Sequence, residues 1–158
     1  MFARLGLSDY LKNITIGSVA AGIALHADRH LLIVNPPVSL TVLVKELETR
    51  EFPLAEDLWG GYHQQKADPS CDRVFGVFAE NTLVAAARCR RPRDGLEVDA
   101  VFTPELYRGK GYARMAVQEL VDSCGKESLY MHAKLDLTGF YQTFGFAEIP
   151  EQELPAGI

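Results

Sequence analysis

Arg108-Gly109-Lys110-Gly111 stands between an apolar run ending at Thr103-Pro104 and an amphipathic stretch opening at Tyr112. Pro104 cannot donate to a continuing ladder, so a strand must stop there. Two glycines reach backbone conformations closed to other residues and let a bulky group approach the main chain. The helix beginning at Tyr112 has first N–H groups without intrahelical partners, at the positive end of its dipole. Arg108 and Lys110 add charge, and a pyrophosphate suits all three features. A plain strand-to-helix turn remains the alternative, since Gly-x-Gly alone does not exclude it. Two better-known cradles are excluded. Tyr112 follows Gly111 with no Ser or Thr placed after Lys110 for a P-loop. Arg114 stands where a dinucleotide fingerprint needs its third glycine.

The rest of the chain alternates around this segment. Leu31–Val34 reads as a short strand stopped by Asn35-Pro36-Pro37. The spacing of Leu40, Val42, Leu43, Val44 and Leu47 predicts an amphipathic helix from Val38 to about Arg50. Pro53 opens a second helical stretch through Gln65. Arg73–Glu80 and Leu83–Cys89 read as a hairpin turning at Asn81 and Thr82, followed by a strand at Leu96–Thr103. Tyr112–Cys124 is a helix closed by Gly125. A strand at Leu129–Ala133, a short helix from Asp136 to about Phe144 and an extended piece from Gly145-Phe146 complete the order. This is an α/β (α+β) chain with a mixed, mostly antiparallel sheet flanked by helices.

At 158 residues, with 47% hydrophobic and 23% charged, the chain suits one globular domain and not a disordered or collagenous class. We expect the domain over residues 31–158, with residues 1–30 an extension arising from an upstream start or a small-residue element packed on the domain. Ile14–Ala27 is apolar but too short and too rich in Gly and Ala for a membrane span. A formal charge of -5 gives no global attraction to nucleic acid or anionic membranes. Cys71, Cys89 and Cys124 are widely spaced without a Cys-x-x-Cys pair, which reads as reduced packed thiols in a cytoplasmic protein, with no metal site.

Residues 101–113, VFTPELYRGKGYA, resemble motif A of the Gcn5-related N-acetyltransferase (GNAT) superfamily, whose core is Arg/Gln-x-x-Gly-x-Gly/Ala. Gly139-Phe140-Tyr141-Gln142-Thr143-Phe144-Gly145-Phe146 resembles the Phe-Tyr-x-x-x-Gly-Phe segment of the same superfamily. One position departs: Leu106 is apolar where the superfamily carries Arg or Gln.

The resemblance implies acetyl-CoA, or another acyl-CoA, as co-substrate and a primary amine, of a small molecule or a protein, as acceptor. It implies direct attack of the amine on the thioester in a ternary complex, and a sheet splayed at the acyl-CoA site. It places Val101, Phe102 and Thr103 along the pantetheine arm. The pyrophosphate then falls to Arg108, Gly109, Lys110, Gly111, Tyr112 and Ala113. Tyr141 corresponds to the tyrosine that protonates the departing thiolate, though it also reads as an aromatic packed among Phe140, Phe144 and Phe146. For the proton leaving the amine, Glu97 and Asp99 are the candidates. Alternate strand residues share a face, and neighbouring carboxylates repel, which raises one pKa toward a useful base. They also suit a cationic acceptor. His132 is a reserve base, and Trp59 with Tyr62 a reserve wall for the acceptor. Homodimers are common in the superfamily. Against this stands a non-catalytic acyl-CoA-binding regulatory module of the same fold, and behind it a nucleotide-binding protein without a Mg²⁺ motif.

Overall fold

The computed structural model describes residues 2–5, 40–92 and 95–158, which belong to one compact unit. The expected strand at Leu31–Val34 and the apolar segment Ile14–Ala27 lie outside the described residues. The described chain runs β1 (Phe2–Leu5), β2 (Val42–Glu46), α1 (Phe52–Trp59), β3 (Asp72–Ala79) and β4 (Thr82–Arg90). It continues through β5 (Leu96–Phe102), α2 (Tyr112–Cys124), β6 (Leu129–His132), α3 (Thr138–Gln142) and β7 (Phe146–Ile149). These strands form one sheet in the order β2-β3-β4-β5-β6-β1-β7, antiparallel except where β5 meets β6.

Two clusters cover the two faces of this sheet. Phe75, Val77, Val84, Val98, Leu129 and Met131 pack with Ala116, Val117 and Leu120 of α2. Leu47, Val74, Leu83 and Ala86 pack with Phe52, Ala55 and Trp59 of α1. β3 and β4 are buried along nearly their whole length because both faces are covered. They turn at Glu80 and Asn81, with φ of +49° and +65°, the left-handed pair that matches the twist of a tight hairpin.

One expected helix is a strand. Val42–Glu46 pairs antiparallel with β3 at the edge of the sheet, and only Thr49–Glu51 makes a helical turn before α1. Val42 and Val44 pack into the α2-side core while Leu43, between them, is exposed, so the period is two. The short apolar run fits both periods, and the β-branched valines belong to the strand. The second helix also ends earlier than expected, at Trp59, where Gly60-Gly61 carries the chain into turns. Phe2–Leu5 lies between β6 and β7, a strand that a domain boundary at residue 31 leaves out. No helix among the described residues is long and apolar enough to cross a membrane.

Candidate active site

Pairing between β5 and β6 is confined to Leu96 with Leu129 and Glu97 with Tyr130. From Val98 onward no ladder pair joins them, and β5 runs on to Phe102 with its backbone edge toward β6 outside any ladder. A bulge adds to the divergence. Arg88 faces Asp99 and Ala86 faces Phe102, so three steps on β5 oppose two on β4. Ala100 absorbs the extra residue at φ +48°, a left-handed conformation that a non-glycine residue adopts at a cost of order 1–3 kcal/mol. The bulge resets the alternation. Val98 and Val101 belong to the α2-side core, and Ala100 and Phe102 to the α1 side.

β5 delivers the chain into a cavity of ≈ 210 Å³ at the N-terminus of α2, lined by Thr103, Tyr107, Arg108, Gly109, Gly111, Tyr112, Ala113, Arg114 and Phe140. Gly109 and Gly111 have φ of +77° and +83°, and a Cβ built on either meets no atom within 4 Å. Both glycines are therefore required by backbone conformation, and the space beside them is open. Arg108 Nε donates to the Thr103 carbonyl at 3.1 Å, which ties the loop to the strand end. Lys110 Nζ lies 5.8 Å from the Tyr107 ring centroid.

Two features of the cavity point to an anionic, hydrogen-bonding occupant. The Thr103 hydroxyl is buried with no hydrogen-bond partner among the described residues, a costly state that a bound group would relieve. Arg114 stands in the first turn of α2, where the helix dipole disfavours a cation. Its guanidinium stacks on Phe140 and Phe144 at 5.4 and 5.3 Å and donates to Thr143 Oγ1 at 2.8 Å. In sequence Arg114 reads as an outward-facing helix residue and as the missing third glycine of a dinucleotide fingerprint. Its sign, wrong for a helix N-terminus, was the available signal. The residues fit the pyrophosphate of an acyl-CoA, with the free β5 edge leading away from them.

Tyr141 of α3 is buried against Phe140 and Phe146, edge to face, with centroids 4.9 and 6.1 Å away. Burial, and then the nearby Tyr62 phenol, push its pKa up to about 12. Glu97 is partly buried on β5, with its Oε1 3.7 Å from His132 Nδ1. Burial raises its carboxyl pKa first and the Asp99 charge second, while His132 and Arg90 pull the other way. Asp99 is already engaged. Arg88 takes it as a fork, Nε to Oδ1 at 2.8 Å and Nη2 to Oδ2 at 2.6 Å. The reserve aromatics part company: Trp59 is fully buried core, whereas Tyr62 stacks on Phe102 at 5.1 Å with ring planes 11° apart. Leu106 is 77% exposed and does not line the cavity. Among the described residues no cluster of three or more His, Cys, Asp or Glu could hold a metal ion.

A GNAT-family protein from Novosphingobium aromaticivorans superposes with a TM-score of 0.58 at 20% identity, over 73% of this chain and 66% of that one. The ribosomal-protein-S18-alanine N-acetyltransferase of Escherichia coli gives 0.58 at 17% identity, over 70% and 80%. A predicted acetyltransferase of Clostridium acetobutylicum, determined with acetyl-CoA, gives 0.55 at 12%, over 70% and 93%. At these identities the likeness is one of fold. No curated protein matches by sequence. Residues 41–146 match the acetyltransferase (GNAT) family, from the edge strand β2 through the start of β7. The match spans both the cavity at α2 and the segment bearing Tyr141, and the chain belongs to that family.

Proposed function

We propose that the protein is an N-acetyltransferase that uses acetyl-CoA, or another acyl-CoA, and acylates a primary amine by direct attack in a ternary complex. The observation that supports it most is the free backbone edge of β5, which runs from Val98 past the bulge toward the left-handed glycines of the α2 cavity. In this reading Val101, Phe102 and Thr103 hold the pantetheine arm through their backbone groups. Arg108, Gly109, Lys110, Gly111, Tyr112 and Ala113 hold the pyrophosphate, with Arg114 added to that set. When bound, the acyl-CoA supplies an acyl group activated as a thioester.

The chain's own residues then handle protons. Glu97 accepts one from the acceptor's ammonium, because its raised pKa brings the carboxylate closer to a useful base. Asp99, two residues along the strand, has both carboxylate oxygens turned to the Arg88 fork. Tyr141 donates its phenolic proton to the departing sulfur, and a pKa pushed up to about 12 keeps that proton in place through the neutral range. In this reading the acceptor lies between the stacked Tyr62 and Phe102 rings and the Glu97 side of β5.

Incubation with acetyl-CoA and a panel of primary amines, following free thiol and acylated product by mass spectrometry, tests the reading. Product with at least one amine is the expected result. Tight acyl-CoA binding with no transfer to any amine would leave a non-catalytic acyl-CoA-binding module instead.

A further inference from the structure

Arg88 is fully buried in the middle of β4, a position where a cation is kept only if its surroundings neutralise it. Asp99 of β5 takes Nε and Nη2. Nη2 also donates to Gln65 Oε1 at 2.9 Å, and Nη1 donates to the Lys66 carbonyl. Its guanidinium lies 5.6 Å from the Trp59 ring centroid. Asp72 approaches Nη1 at 3.6 Å and is itself forked by Arg90 at 2.8 and 3.0 Å. Two cations and two carboxylates thus neutralise one another inside the α1 face.

The two groups that Arg88 grips belong to the acceptor side. Asp99 stands beside Glu97, and residues 65–66 end the turn segment that carries Tyr62 onto Phe102. His63 and Gln64 in that segment hold left-handed conformations, at φ of +60° and +47°, which cost energy for non-glycine residues. We propose that Arg88 is a positioning residue for the acceptor amine. Its guanidinium holds the Asp99 carboxylate beside Glu97 and anchors the Tyr62 segment, so that one buried charge aligns both the proton acceptor and the aromatic wall. This rests on Glu97 as the base.

The groups facing Glu97 among the described residues are Asp99 on its own strand, His132 and the register partner Tyr130 on β6, and Arg90 on β4, with Arg88 acting through Asp99. Their charges fix the signs. Asp99→Asn removes a negative neighbour, so the Glu97 titration moves lower. Arg88→Gln removes the positive charge that neutralises Asp99, so the carboxylate pair holds its proton to higher pH. Arg88→Lys keeps the charge but loses the fork, so the titration stays and the acceptor KM rises, about tenfold for the loss of one or two hydrogen bonds.

The test follows the Glu97 carboxyl by ¹³C NMR titration in the free protein, and the acid limb of kcat/KM for the acceptor. Opposite displacements in Asp99→Asn and Arg88→Gln, with Arg88→Lys raising KM alone, are the expected result. Displacements of the same sign, or none, overturn the proposal. If Arg88→Gln does not fold, Asp99→Asn and Arg88→Lys still decide it: an unmoved titration in the first, or an unmoved KM in the second, overturns it. Failure of the base assignment reads differently. Glu97→Gln would then keep the acid limb, while the NMR titration of wild type against Asp99→Asn still reports on the network.

Discussion

Tyr141, Glu97 and Thr103 each hold a polar group where burial alone makes it costly, and each yields a distinct measurement. Tyr141→Phe removes one oxygen while the ring packing on Phe140 and Phe146 stays. Acetyl-CoA binding should be unchanged, and the single-turnover rate should fall by about 10²–10⁴-fold, the range of a positioned acid. For Glu97, burial and the Asp99 charge raise the folded pKa above its ordinary value. The folded state therefore binds the proton more tightly than the unfolded one, and this contribution is lost as pH rises through the folded pKa. Glu97→Gln should melt higher than wild type at neutral pH, by differential scanning calorimetry, while losing turnover by about 10²-fold or more. Thr103→Val removes a hydroxyl that has no partner among the described residues. The free protein should keep or gain stability, and CoA should bind up to about tenfold more weakly, the worth of one hydrogen bond, by isothermal titration calorimetry.

The loop between β5 and α2 makes its prediction at the level of the element. Gly109→Val or Gly111→Val forces a β-branched residue to φ near +80° at a cost of about 1–2 kcal/mol, with open space at the Cβ. The fold should survive, as judged by circular dichroism, and CoA binding should be lost because the side chain enters the open space beside the backbone. Unchanged CoA affinity in both variants would remove the pyrophosphate from this loop. The helix that follows was legible from Ala113, Ala116, Val117 and Leu120 on one face, and it runs from Tyr112 to Cys124 as expected. β2 was not legible as a strand, because Val42-Leu43-Val44 is too short to separate a period of two from one of 3.6. Its partner β3 decided it. The divergence of β5 from β6 was expected only through the resemblance, and the Ala100 bulge that accompanies it left no mark in the residue pattern.

Across the sheet of the described residues, β7 reaches the other strands only through β1. Removing residues 1–5 should therefore unpair one side of β6 and detach β7, which follows directly on α3 and its Tyr141. The truncated protein should unfold at lower temperature, by about 2–4 °C for each kcal/mol lost in a domain of this size, and with a smaller denaturant m-value. An unchanged melting curve would mean that β1 contributes no stability.

The residue order by itself determined the strand–glycine–helix junction, the hairpin, the length of α2 and the Phe-Tyr segment, because each is a local pattern of turn chemistry and periodicity. Tertiary structure decided what depends on residues far apart in the chain. Glu97 and Asp99 read as equivalent on their strand, yet a guanidinium eleven positions away engages one and leaves the other beside His132. Arg88 itself reads as one polar residue in an apolar run. Only the meeting of β3, β4, β5, α1 and the 60–66 segment buries it and supplies the charges that make burial tolerable. A buried charge is set by its neighbours in space, and no local pattern encodes those.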